Sequence, residues 1–284
     1  MSRQFITPAD QDPGPTQRVP VRTMRGESML SREDLVAVEA PLEIRIAAVD
    51  ERGPGQPVSV TMRTPGQDAE LALGFLYGEG VIHSRSDVAS VRSCGAEGNV
   101  VRIELSPGVA LDSTRLERNF YATSSCGVCG KASLQAIDAM LESRPVDSTL
   151  RIGAKLLTTL SATAREAQSG FRDTGGLHAA SLFDPQGRLV AACEDVGRHN
   201  ALDKLVGSML RDGALPLSSS LLLLSGRASF ELLQKAAVAG IPVVAAIGAP
   251  SSLAIEIAVR TGILLVGFLR GDSFNVYAHG ERLL

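Results

Sequence analysis

The chain contains no tryptophan, and aromatic residues make up only 4% of it. A core without large rings has to be assembled from Leu, Val, Ile and Ala in many small contacts. Cysteine is scarce as well, with Cys94, Cys126, Cys129 and Cys193 the only ones in 284 residues. Four thiols cannot staple a chain of this length, so a disulfide scaffold is excluded and a reducing, cytoplasmic setting is expected. There is no excess of positive charge: the formal net charge is −3, which argues against a nucleic-acid partner held by bulk electrostatics. Long apolar runs are missing too. The stretch Val238 to Ala249 is broken by Gly240 and Pro242 and falls short of a bilayer span. The opening residues carry no apolar signal segment. A soluble protein without a membrane partner is the expectation.

Glycine, at 28 residues, is what the chain has in quantity; it marks places where the backbone turns or approaches something closely. Residues 1–30, rich in Pro, Gln, Asp and Arg without periodicity, read as a disordered arm. Residues 31–120 read as a strand-rich α+β region. Its alternating stretches are Leu35–Glu39, Leu42–Ile46, Val58–Met62, Val88–Ser93 and Val100–Leu105, with one helix from Asp68 to Tyr77 capped by Asp68. Residues 121–145 form a loop carrying Cys126-Gly-Val-Cys129, followed by a helix over 131–142. From 146 to 284, short apolar strands alternate with amphipathic helices. That rhythm predicts an α/β domain, a mixed sheet with helices on both faces.

A CxxC at a helix start places its thiols beside unsatisfied backbone N–H groups, which favour the thiolate, and Lys131 adds positive charge. A low-pKa thiol in such a loop suits the receipt and delivery of a group. Half of a zinc site and a thioredoxin-like redox pair are the other readings. Zinc needs four ligands, and no second CxxC or His pair stands at zinc spacing, so Cys94, Cys193, His178 and His199 would have to converge.

Three further segments sit between a strand end and a helix start, where α/β folds place ligands. Cys193-Glu-Asp-Val-Gly-Arg-His-Asn200 offers donors from Arg198, His199 and Asn200, against the plain reading that Asp195 caps the helix and His199 is an ordinary surface residue. Ser225-Gly-Arg-Ala-Ser229 suits a phosphate through backbone N–H groups and Arg227. Gly248-Ala-Pro-Ser-Ser252 repeats the arrangement. Gly175-Gly-Leu-His-Ala-Ala180 invites comparison with zinc deaminases, but Ala180 stands where their proton-shuttling glutamate is needed. Arg270, between Gly267 and Gly271, reads either as part of a hairpin turn or as a phosphate contact.

The segments Thr64–Gly80, Ser124–Lys131, Gly175–Ala180, Glu194–Lys204, Ser225–Glu231 and Ala249–Ala254, in that order, together resemble the FdhD family. That family's members are sulfurtransferases required to mature formate dehydrogenases. The resemblance implies a cytidine-deaminase-like larger domain, a homodimer, and a persulfide taken from a cysteine desulfurase onto Cys126, with Cys129 as second thiol. It implies delivery to the molybdenum of the bis-molybdopterin guanine dinucleotide cofactor before insertion into formate dehydrogenase. The family's cofactor-binding segment maps onto Phe268-Leu269-Arg270-Gly271-Asp272-Ser273, with Arg198, His199 and Arg227 as further contacts, and no permanently bound metal is expected. The competing expectation is a non-catalytic cofactor chaperone whose CxxC is structural or holds zinc.

Overall fold

A computed structural model describes residues 6–7, 14–95, 98–109, 146 and 149–284. Cys126, Cys129 and the helix expected over 131–142 lie outside the described residues. The first part of the chain supplies β1 (Ile6–Thr7), β2 (Thr16–Arg25), β3 (Ser28–Ala37), β4 (Ala40–Ala48), β5 (Gln56–Arg63), α1 (Asp68–Gly78), β6 (Val88–Cys94) and β7 (Val100–Leu105). Five of these strands form a mixed sheet in the order β1-β6-β7-β4-β5.

Strands β2 and β3 pair only with each other, in an antiparallel ribbon running from Thr16↔Ala37 to Arg25↔Ser28. This corrects the expectation of a disordered arm to residue 30. A two-stranded ribbon keeps solvent on both faces, so its sequence need not show the alternation of a half-buried strand. Gly26, at φ 61, sits in the two-residue turn.

The second part supplies α2 (Ala154–Ala167), α3 (Ser169–Thr174), β8 (His178–Phe183), β9 (Leu189–Asp195), α4 (Arg198–Arg211), β10 (Leu221–Leu224), α5 (Phe230–Val238), β11 (Val243–Ala246), α6 (Ser252–Thr261), β12 (Leu264–Arg270) and β13 (Ser273–Ala278). Its sheet runs β13-β12-β11-β10-β8-β9. Strands β10, β11 and β12 are parallel, while β8, β9 and β13 join antiparallel. Four consecutive leucines make β10 because both of its faces are covered. Leu222 and Leu224 enter the core shared with α4, α5 and α6; Leu221 and Leu223 enter a second core with Leu157 and Leu160 of α2. The mixed sheet with helices on both faces is thus present.

One core joins the two sheets, since Leu42, Ile44 and Ile103 of the first share it with Leu222 and Val244 of the second. Helices α1 and α4 lie in it backbone to backbone. A Cβ added to Gly74 would stand 1.9 Å from the Asp203 carbonyl oxygen, and one added to Gly207 would stand 1.8 Å from that of Glu70. Only glycine permits that approach. Asp68 does not cap α1. The preceding Gln67 holds the N-cap position without a side-chain bond, and the Asp68 carboxylate takes two hydrogen bonds from buried Arg63, at 2.8 and 2.7 Å. An arginine only 1% exposed needs that counter-charge more than the helix needs its cap.

Candidate functional site

Parallel β10, β11 and β12 all end at one edge of the second sheet. Antiparallel pairing brings the end of β9 and the start of β8 to the same edge, with Leu224 opposite Ala180 and His178 opposite Asp195. The segments singled out after β9, β10, β11 and β12 therefore meet along one line. Direct bonds knit them: the Ser225 N–H donates to the Ala179 carbonyl at 3.0 Å, and the Ala179 N–H to Ser225 Oγ at 2.8 Å. The Gly248 N–H donates to the Gly226 carbonyl at 2.9 Å, and the Phe268 N–H to that of Gly248 at 3.1 Å. A Cβ on Gly248 would come within 3.0 Å of the Gly226 oxygen, so a glycine keeps these two junctions in contact.

The Glu194–Asn200 segment divides into two sets. Glu194 accepts the Gly170 and Phe171 N–H groups at 2.8 and 2.7 Å, holding the start of α3. Asp195 is fully buried. Its Oδ2 meets Lys204 Nζ at 2.7 Å and the Thr64 N–H at 3.0 Å, and its Oδ1 meets the Gly197 N–H and Asn200 Nδ2 at 2.8 and 3.0 Å. Asn200 also donates to the Met62 carbonyl at 2.7 Å. These three side chains fasten the edge to the first sheet, which removes Asn200 as a donor to a ligand.

Arg198 and His199 remain, at the start of α4. The Arg198 Nε is buried and has no hydrogen-bond partner among the described residues. His199 Nε2 lies 3.0 Å from Glu231 Oε2 and 3.3 Å from Ser229 Oγ, tying α4 to the junction after β10. Burial, reinforced by Arg198 and Lys235, pushes this imidazole down to about 3. It is therefore neutral, and its contact with Glu231 is a hydrogen bond from Nε2–H. His178 is also held below its usual value, by burial and then by Arg198, with Asp195 opposing. Nothing in the sequence pointed to Ser229 or Glu231 as partners of His199, since about thirty residues separate them.

The segment 268–273 divides in the same way. A bulge between Gly267 and Arg270 interrupts the alternation of β12. Leu269, rather than Phe268, enters the second core, fully buried; only its backbone can face a ligand. Phe268 is exposed and holds φ 53, a conformation costly for a bulky residue. Arg270, Gly271, Asp272 and Ser273 are exposed, Gly271 turning at φ 58 and Ser273 Oγ donating to the Arg270 carbonyl at 3.2 Å. Arg227 is exposed on the neighbouring junction. The edge thus carries Arg198, Arg227 and Arg270 together with free-standing loop backbone, a combination that attracts anions.

The model for the FdhD/NarQ family matches residues 37–284. The chain belongs to the FdhD/NarQ family. It is 49% identical over 273 residues to a sulfur carrier protein FdhD of Mycobacterium tuberculosis, covering 93% of this chain and 96% of that one. It is likewise 49% identical over 276 residues to a sulfur carrier protein FdhD of Streptomyces coelicolor, with 94% and 95% covered. A crystal structure described as that of a formate dehydrogenase accessory protein from Desulfotalea psychrophila has the same fold. Its TM-score is 0.73 at 24% identity, over 95% of this chain and 99% of that one. All six resemblance segments fall inside the family match; most of the β2–β3 ribbon precedes it.

In this FdhD/NarQ chain the described cysteines are Cys94, half-buried, and Cys193, buried. Burial pushes the Cys193 thiol up to about 11, so it is protonated at neutral pH and unfit as a nucleophile. Among the described residues, no three His, Cys, Asp or Glu side chains gather in a way that could hold a metal ion. No described helix is long and apolar enough to cross a membrane.

Proposed function

We propose that this FdhD/NarQ protein is a sulfurtransferase working in the cytoplasm as a homodimer. The Cys126 thiolate attacks the terminal sulfur of a persulfide on a cysteine desulfurase. The donor's S–S bond breaks, its cysteine leaves as thiolate, and Cys126 carries the sulfur as its own persulfide. Cys129 is the second thiol beside it. For delivery the Cys129 thiolate attacks Cys126 Sγ, forming a Cys126–Cys129 disulfide and releasing the outer sulfur at the sulfide level to the molybdenum of bis-molybdopterin guanine dinucleotide, the substrate, before that cofactor enters formate dehydrogenase, the client. Arg198, Arg227 and Arg270, with the loop backbone of 268–273, hold its phosphates, and neutral His199 fixes the start of α4 beside them.

One observation carries the reading: near-full-length identity to proteins named as sulfur carriers, in a chain that keeps Cys126-Gly-Val-Cys129. Intact-protein mass spectrometry after incubation with a cysteine desulfurase and cysteine tests it. The expected result is a reductant-labile gain of one sulfur atom, lost in Cys126→Ala. No adduct, with stoichiometric zinc in the purified protein, would replace the carrier by a cofactor-binding chaperone with a structural CxxC.

A further inference from the structure

The β2–β3 ribbon is the one sheet of the described residues with no third strand and no second layer of its own. A two-stranded ribbon is marginal in water. This one also exposes Met24, Met29, Leu30 and Val36, between 37% and 57% of each. The base of β3 meets α3, and a Cβ on Gly176 would sit 3.7 Å from that of Ala37; residues 28–33 of β3 are exposed.

The two edges of the ribbon are not equivalent. The two-residue turn makes Arg25–Ser28 a hydrogen-bonded pair, and bonded pairs alternate outward from it. Pro20–Glu33 is then a non-bonded pair. The N–H that proline lacks falls on the outer edge of β2, which is blocked as edge strands commonly are. The outer edge of β3 has no proline between Ser28 and Ala37. It presents the backbone groups of Met29, Ser31, Glu33 and Leu35.

We propose that two copies of this chain pair antiparallel along this β3 edge, making one continuous sheet of their ribbons with Glu33 on the two-fold axis. A two-fold axis between antiparallel strands places one residue opposite its own copy, and neighbours then match symmetrically. With Glu33 on the axis, Arg32, which pairs with its own Asp34 at 3.2 Å, also faces Asp34 of the other copy, and Leu30 faces Val36, each pair occurring twice. These four residues share one face of the strand. Each Glu33 keeps its own Arg18 at 3.6 Å, which offsets their approach. Moving the axis by one residue sets Arg32 against Arg32 and Asp34 against Leu30, losing both charge pairs. The self-complementary run Leu30-Ser-Arg-Glu-Asp-Leu-Val36 therefore selects both the partner, a second copy, and the register.

This inference assigns a surface to the homodimer of the proposed function, but its grounds are the ribbon and not the sulfur chemistry. Sedimentation equilibrium on the full chain tests it. The parent is expected to dimerise at micromolar concentration. Arg32→Asp and Asp34→Arg singly should each raise the dissociation constant by about tenfold or more, and the double exchange should restore it. Glu33→Pro removes an edge donor without removing a β2–β3 bond and should give monomer. A Leu30→Cys/Val36→Cys variant should oxidise to a covalent dimer absent in the parent, because six residues along one strand keep the two positions ~20 Å apart within a copy. A monomeric parent, or a dimer indifferent to both the charge exchange and Glu33→Pro, overturns the proposal. Sulfur loading measured on the same variants separates its failure from failure of the carrier reading.

Discussion

His199 is prevented from carrying a proton in the folded protein. Its folded value is about 3, against ~6.5 in an unfolded chain. A depressed value contributes stability that is complete above the unfolded value and is lost as pH falls towards the folded one. The loss runs at up to ~1.4 kcal/mol per pH unit. His178, shifted the same way, adds to it. Buried Asp203, raised to about 6, acts with the opposite sign, so the comparison must be between parent and variant. The urea midpoint of the parent should fall between pH 6.5 and 4 more steeply than that of His199→Gln, which keeps a donor for Glu231. Parallel curves would mean that His199 is freely protonated. The sequence showed His199 beside Arg198 at a strand–helix junction, and both stand there. It did not show that Asp195, Asn200 and Lys204 are internal. Lys204 is 1% exposed, and its Nζ bonds Asp195, the Thr64 carbonyl at 2.8 Å and the Glu194 carbonyl at 3.3 Å. A buried lysine announces itself only through partners brought together by the fold.

At the scale of elements, the crossing of α1 and α4 decides how closely the two sheets approach. Gly74 and Gly207 put each helix against the other's carbonyl oxygens, and Lys235 of α5 pairs with Asp203 of α4 at 2.6 Å beside the crossing. An added methyl at Gly207 has backbone as its obstacle, so relief requires a shift of the whole helix. Gly207→Ala should cost about 3 kcal/mol, the upper part of the range for overpacking, despite alanine's better helix propensity. A urea midpoint equal to the parent's would show that the helices separate freely. Periodicity made α4 and the strands of the second sheet legible, because burial on one face or on two leaves a repeating pattern. It left the helix glycines looking like weak points and the ribbon looking like a tail. In both places the information lies in a neighbour distant in sequence, or in having no neighbour at all.

The molecule as a whole places the guanidinium groups of Arg198, Arg227 and Arg270 at the end of the sheet, supplied by three separate junctions, two of which the backbone bonds of Gly226, Gly248 and Phe268 hold in line. None of these segments is a phosphate motif alone, which is why the sequence offered each only as a candidate. Their common edge follows from the strand order. If that edge holds the nucleotide phosphates of the cofactor, a guanine nucleotide should stabilise the folded chain through binding to it alone, by ~2.7 kcal/mol at a hundred times its dissociation constant. The thermal midpoint should rise accordingly. Arg270→Ala and Arg227→Ala should each shrink the rise at fixed nucleotide concentration without moving the midpoint of the free protein, since both side chains are exposed. Arg188→Ala, in the β8–β9 turn at the opposite end of those strands, should leave it unchanged. A rise that survives in both edge variants would assign the nucleotide to another surface, and the arginines there would be left with solvent as their only role.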